Sequence, residues 1–415
     1  MRPTYFALAA LAAPMTSLAQ ASDAVTPAAV VKTYADIGEA VFTDALAGSR
    51  DLQDAVDALL ATPSPETLEA ARAAWIKARE SYMQSEAFRF GNPSVDDLEP
   101  MVNSWPLDEG LIDYVDPSYG GATDENEFAA LNVVATPSFS LGPVQVDASK
   151  ITPELIADTL QEADGIETNV ASGWHAVEFL LWGQDLHGTG PGAGERPWTD
   201  YAQGADCTNG NCDRRAAYLS AATELLVKDM QSMADLWSDD GTARVALEAD
   251  PEAALGAMLT GLGSLSFGEL AGERMKLGLL LHDPEEEQDC FSDNTHNAHY
   301  YDVVGIQNVW LGRYTRADGS VLEGPSLAAL VAETDAGLAE ELTADIAATL
   351  KAMMAIKTAA EGGEAYDQQI GAGNEAGNAR VQAGVDGLVT QTKTIERVIA
   401  ALGAESTIEG SDSLQ

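Results

Sequence analysis

Apolar residues in this chain recur at spacings of three and four over long segments, and that periodicity is the strongest limit on what it can fold into. Val30, Tyr34, Ile37, Val41 and Ala45 share one helical face, and Leu52, Val56, Leu59 and Leu60 follow. The pattern predicts a helix over residues 23–60 that Pro63-Ser64-Pro65 stops. The next expected helix, 66–90, sets Trp75, Ala78, Tyr82 and Glu86 on one face, so a carboxylate continues a buried stripe. An inward-facing Glu is costly unless it is paired or bound to a cation, and Arg79 and Arg89 are the ordinary pairing alternatives. A helix start is expected at Pro106 and Asp108, a loop over 117–143, and further helices at 152–181, 213–237, 251–281, up to about 311, 326–360 and 374–402.

No segment reads as a strand, so the expected class is all-α. A chain of 415 residues exceeds what one core usually organises. The expected architecture is therefore two antiparallel helical-bundle domains, 22–198 and 199–415, behind a segment 1–21 that is removed. That segment has Arg2, an apolar core over Tyr5–Ala13 and small residues at Ala19-Gln20-Ala21, the form of a secretory signal. Cleavage near Ala19–Ala21 implies a periplasmic or secreted protein. No Cys near the cut offers a lipid anchor, and no later stretch holds the ~18 uninterrupted apolar residues a membrane span needs.

The formal net charge of −44 argues against nucleic acid as a partner, because no Lys/Arg cluster exists to hold a polyanion. Such a surface attracts cations and also keeps an exported protein soluble. Cys207 and Cys212 lie close in a turn-like loop and are expected to bridge in an oxidising compartment, with Cys290 left over. Two thiols without a nearby His fall short of a zinc site.

The chemistry concentrates in Ser172–Gly183, which carries one of five histidines in an apolar run bounded by glycines. On a helix, His175 and Glu178 sit one above the other, close enough to share a cation or a proton. Trp174, Val177 and Leu181 form a separate stripe that would fix the helix in a core, and Gly173 allows close approach of a backbone or ligand. On residue types alone the pair reads either as a structural pair or as a ligand site. Asp108, Glu109 and Asp113 add carboxylates, and His296 and His299 with Asp302 or Asp293 form a weaker second candidate beside a capping role.

These residues resemble the imelysin family, most closely its iron-regulated protein A branch. Gly173, His175 and Glu178 match the family's GxHxxE motif. Ser85–Phe90, Asn103–Glu109, Gly268–Met275 and Cys290–His296 follow the family pattern in order over nearly the whole chain. The resemblance implies an exported helical protein of two bundle-like domains, linked to iron uptake and served by a membrane iron-transport component. Carried over by position, it makes His175 and Glu178 the functional pair, Glu86 their partner, and Asp108 and Asp113 further ligand candidates. One imidazole with several carboxylates suits iron, while zinc and copper compete on affinity. The alternative function is a metallopeptidase, with His175 and Glu86 on the metal and Glu178 as general base, although the HExxH pattern is absent.

Overall fold

A computed structural model describes residues 25–123 and 126–410. The signal-like segment and its cleavage site lie outside the described residues. The fold is all-α apart from two short hairpins, Ser138–Leu141 with Val144–Asp147 and Arg313–Thr315 with Val321–Glu323.

The first two helices form a hairpin because the break between them is also a start signal. Pro27–Ala61 is capped by the Thr26 side chain, and Pro65–Ser85 by a capping box of Ser64 and Thr67 with Pro65 in its first turn. The stripe Trp75, Ala78, Tyr82 and Glu86 is buried as its spacing requires. An aromatic cluster locks the hairpin: Tyr34 stacks on Phe88 at 4.5 Å, and Phe42 on Trp237 at 5.9 Å between ring centroids. A Cβ on Gly38 would stand 2.5 Å from the Trp237 ring. Helix Cys212–Asp235, beyond residue 198, packs on both Pro27–Ala61 and Gly173–Trp182.

Downstream, Ala336–Glu361 and Glu375–Leu402 pack together against Thr295–Leu311 and Leu265–Leu277. Thr295–Leu311 also packs on Pro65–Ser85, where a Cβ on Gly305 would lie 2.4 Å from the Gln84 carbonyl oxygen. One continuous apolar core results. The 251–281 segment is long and apolar enough to cross a membrane, yet 67% of that window is buried within the protein, as in a core helix.

Several local expectations fail for identifiable reasons. The 152–181 helix breaks after Leu160, because the Gln161 side chain takes the amides of Ala171 and Ser172 and so holds 161–172 in irregular form. Only Gly173–Trp182 resumes as helix. Around Pro106 only a 3-10 turn, Glu109–Leu111, forms, since the Asp108 carboxylate is taken by Tyr119, Asn126 and Thr168 rather than capping a helix. The 251–281 helix widens to π form over Leu265–Leu277. Asp335 ends one helix at Thr334 and caps the next at Ala336.

Packing buries carboxyl groups as well, and this sets a pH dependence. Burial, against the pull of Arg89, pushes Glu99 up to about 7, and burial pushes Glu109 up to about 7 against its own amide and Gln184. Above pH ~5 the native state therefore binds protons that the unfolded chain has released, and stability falls as pH rises through 7. Burial holds His175 and His299 down to about 3 and His296 to about 4, so below pH ~6.5 the unfolded chain binds protons that the native state refuses. Stability is thus expected to peak near pH ~6, with Glu99 and Glu109 each contributing on the order of 1–2 kcal/mol of loss between pH 6 and 8. Thermal unfolding from pH 5 to 8 checks this, and a melting temperature that climbs steadily to pH 8 contradicts it.

Candidate metal centre

Gly173–Trp182 is buried on every face, which explains why its apolar residues are not confined to a stripe. It starts at Gly173, whose φ of +81° is left-handed and whose missing Cβ leaves room for Val102: a Cβ there would stand 2.3 Å from the Val102 carbonyl oxygen. Close backbone approach is thus the role of the first motif residue.

Helical geometry brings His175 Nδ1 to 3.0 Å from Glu178 Oε2. The third member comes from far along the chain. Asp289 Oδ1 lies 3.9 Å from His175 Nδ1, and His175, Glu178 and Asp289 each bring a ligand atom within 4.8 Å of the others. All three are buried, and His175 Nε2 has no hydrogen-bond partner.

The surrounding shell orients them. Glu178 Oε1 accepts from the Ser292 amide at 2.9 Å and its hydroxyl at 2.6 Å. Asp289 Oδ2 accepts from Asn294 at 2.8 Å, and its Oδ1 from Arg79 at 2.6 Å. Arg79 is 1% exposed, lies over the rings of Trp75, Tyr82 and Trp174, and donates to Asn103 Oδ1 at 2.6 Å. Asn103 lines a cleft of about 520 Å³ with Glu99, Glu269 and Arg274.

The electrostatics follow from burial. Burial, helped by Arg79, pushes the His175 imidazole down to about 3, so the ring is neutral, the form that ligates metals. Burial, then the Asp289 charge, holds the Glu178 carboxyl well above its usual range. Despite burial, the Arg79 guanidinium keeps Asp289 below the usual carboxylate range. Without metal the group is therefore a neutral imidazole, a glutamate whose burial favours the protonated form and an aspartate balanced by a guanidinium.

The other expected ligands lie elsewhere. Glu86 is paired not with Arg79 or Arg89 but with Arg274 at 2.8 Å, which also meets Glu269 at 2.6 Å and Asp302 at 3.2 Å. Asp108 accepts from Tyr119, Asn126 and Thr168. Asp113 is held by Arg196 at 2.7 Å and by Arg215. Hydrogen bonds and guanidinium groups hold these three, and none of them joins His175 and Glu178 within 4.8 Å. His296 Nδ1 lies 3.0 Å from the Asp293 carbonyl oxygen, a local contact of the capping kind, while both His299 ring nitrogens are buried without partners. Cys207 and Cys212 form the disulfide, and Cys290 is free and buried.

Asp289 and Arg79 as its counterion were not singled out from sequence. The available signal was position: Asp289 directly precedes Cys290-Phe291-Ser292-Asp293-Asn294, whose Ser292 and Asn294 buttress the centre.

Fold and site together define a helical protein with a buried histidine–carboxylate centre on a Gly-x-His-x-x-Glu helix. The imelysin (peptidase M75) family model matches residues 38–395, and the chain belongs to that family. Iron-regulated protein A of Synechococcus elongatus is 34% identical over 71 residues, a match spanning 17% of this chain and only 20% of that relative's length. A crystal structure from Parabacteroides distasonis, described as an iron-regulated protein A precursor, superposes with a TM-score of 0.64 over 92% of this chain and 97% of its own. At 19% identity that likeness is one of fold.

Proposed function

We propose that this chain is an exported protein that binds a metal ion, iron foremost, at His175, Glu178 and Asp289, and serves iron uptake or homeostasis with a membrane iron-transport component as partner. The observation that carries the reading is the convergence of one imidazole and two carboxylates, all buried, within 4.8 Å. A mixed nitrogen and oxygen donor set suits iron, with zinc and copper as competitors, so the residues present fit such a cargo. Arg79 holds the same Asp289 oxygen and must yield part of that contact on loading. The iron-related names of the two relatives support the choice of metal. Export draws its support from the signal-like segment and from the Cys207–Cys212 bridge, which belongs to an oxidising compartment. The metallopeptidase alternative gains nothing from this geometry: the His175 and Glu178 side chains are 0% exposed, out of reach of a polypeptide.

Elemental analysis of protein purified from its native host, followed by anaerobic Fe(II) titration of wild type, His175→Ala and Glu178→Gln, tests the assignment. One equivalent of metal per wild-type chain is expected, with added metal raising the melting temperature by mass action. Both variants are expected to lose that response. An equal metal-induced rise in all three proteins would sink the site, even if the acidic surface still bound metal.

A further inference from the structure

A second set of carboxylates converges next to the His175 centre, and its chemistry is different. Glu287 and Asp293 come from the loop before helix Thr295–Leu311, and Asp367 from the short helix Tyr366–Ile370. Each brings an oxygen within 4.8 Å of the other two. Glu287 and Asp367 are 0% exposed, and among the described residues their four carboxylate oxygens complete no hydrogen bond, although the Asp367 and Gln368 amides lie near Asp367; Asp293 Oδ1 is equally unpartnered. The Thr295 hydroxyl lies near Glu287 but completes no hydrogen bond to it.

Three other deeply buried carboxylates are answered by a guanidinium, Asp113 by Arg196, Asp289 by Arg79 and Glu86 by Arg274, and Glu178 by the Ser292 amide and hydroxyl. Here, among the described residues, no Lys or Arg reaches hydrogen-bonding distance of the five unpartnered oxygens. Beside them the Tyr366 hydroxyl and both His299 ring nitrogens are also buried without partners, the two rings meeting edge to face at 4.9 Å. A crevice lined by Asp185, Glu285 and Glu287 leads to this point. Buried acids with unused lone pairs either keep their protons or share a cation, since bare charge in such a place is strongly disfavoured.

We propose that Glu287, Asp293 and Asp367 bind one hard divalent cation, Ca²⁺ by preference, at a site separate from the His175 centre. The donors are all oxygen, with neither the nitrogen nor the sulfur that zinc and copper favour. Three carboxylates from separate elements suit Ca²⁺, which takes six to eight oxygens in flexible geometry, whereas Mg²⁺ demands a near-ideal octahedron and is held by one or two carboxylates with several waters. The cation would tie Tyr366–Ile370 to the loop that also supplies Asp289, Ser292 and Asn294. Its occupancy would therefore order the segment that buttresses the first centre.

The purified full chain is stripped with chelator and titrated with CaCl₂, read by calorimetry and by thermal unfolding. Wild type is expected to bind one Ca²⁺ saturably and to melt at a higher temperature when loaded. Asp367→Asn and Glu287→Gln are expected to lose that rise while being no less stable than wild type without Ca²⁺, because each removes an uncompensated buried acid. Asp293→Asn, less buried and so the milder change, is expected to fold and to bind Ca²⁺ at least ~10-fold more weakly. His175→Ala is expected to keep the full Ca²⁺ response, which separates this site from the proposed iron centre. Unchanged Ca²⁺ affinity in Asp293→Asn, or an equal thermal rise in every variant, would overturn the proposal. A variant-sensitive response to MnCl₂ with none to CaCl₂ would overturn the choice of cation.

Discussion

Asp113→Ala is expected to cost about 3–5 kcal/mol of folding stability while leaving metal content unchanged. Asp113 sits between two arginines that are each 1% exposed in their side chains, Arg196 and Arg215, and despite burial they hold its carboxyl below the usual range. Removing it leaves two guanidinium groups in a dry interior, with Asp200 3.2 Å from Arg196 as the remaining carboxylate. The penalty arises from the stranded charges more than from the lost pair, so Asp113→Asn should be only partly better: it restores hydrogen bonds without the charge. Urea unfolding of the two variants beside wild type measures the effect. A loss of bound metal without a loss of stability would return Asp113 to the ligand set.

The second large effect separates the two roles that meet at Asp289. Asp289→Ala removes a proposed ligand and also strands Arg79 among Trp75, Tyr82 and Trp174, so a cost of about 3–5 kcal/mol is expected together with loss of metal-dependent stabilisation. His175→Ala removes a neutral ring and strands no charge, since Glu178 keeps its bonds from Ser292; about 2 kcal/mol is expected from the cavity alone. Adding Arg79→Met to Asp289→Ala should recover much of the stability, because the uncompensated charge is gone, and none of the metal binding. Should the double variant prove as unstable as the sum of its parts, Arg79 is not the source of the cost.

The five segments that carried the family resemblance each acquire a physical task. Gly173 admits the Val102 backbone, Asn103 holds Arg79, Glu86 and Arg274 pair with each other, and Ser292 and Asn294 hold Glu178 and Asp289. Most of these tasks support the centre from behind. A carboxylate such as Glu86 on a buried stripe looks the same in sequence whether it awaits a cation or a guanidinium.

What the sequence by itself determined is what depends on near neighbours. The long helices follow from apolar spacing and from caps such as Ser64 and Asp335, and the 3.0 Å contact of His175 with Glu178 follows from one turn of helix. The Cys207–Cys212 bridge is local in the same way. Only the tertiary structure decided that Asp289, not Glu86, comes within 4.8 Å of His175 and Glu178, that Arg274 and not Arg79 takes Glu86, and that Asp113 belongs to two arginines. A helix sets the direction of its own side chains, but a buried charge is matched to whichever counter-charge packing delivers from 83 to 210 residues away, and no spacing rule carries that information.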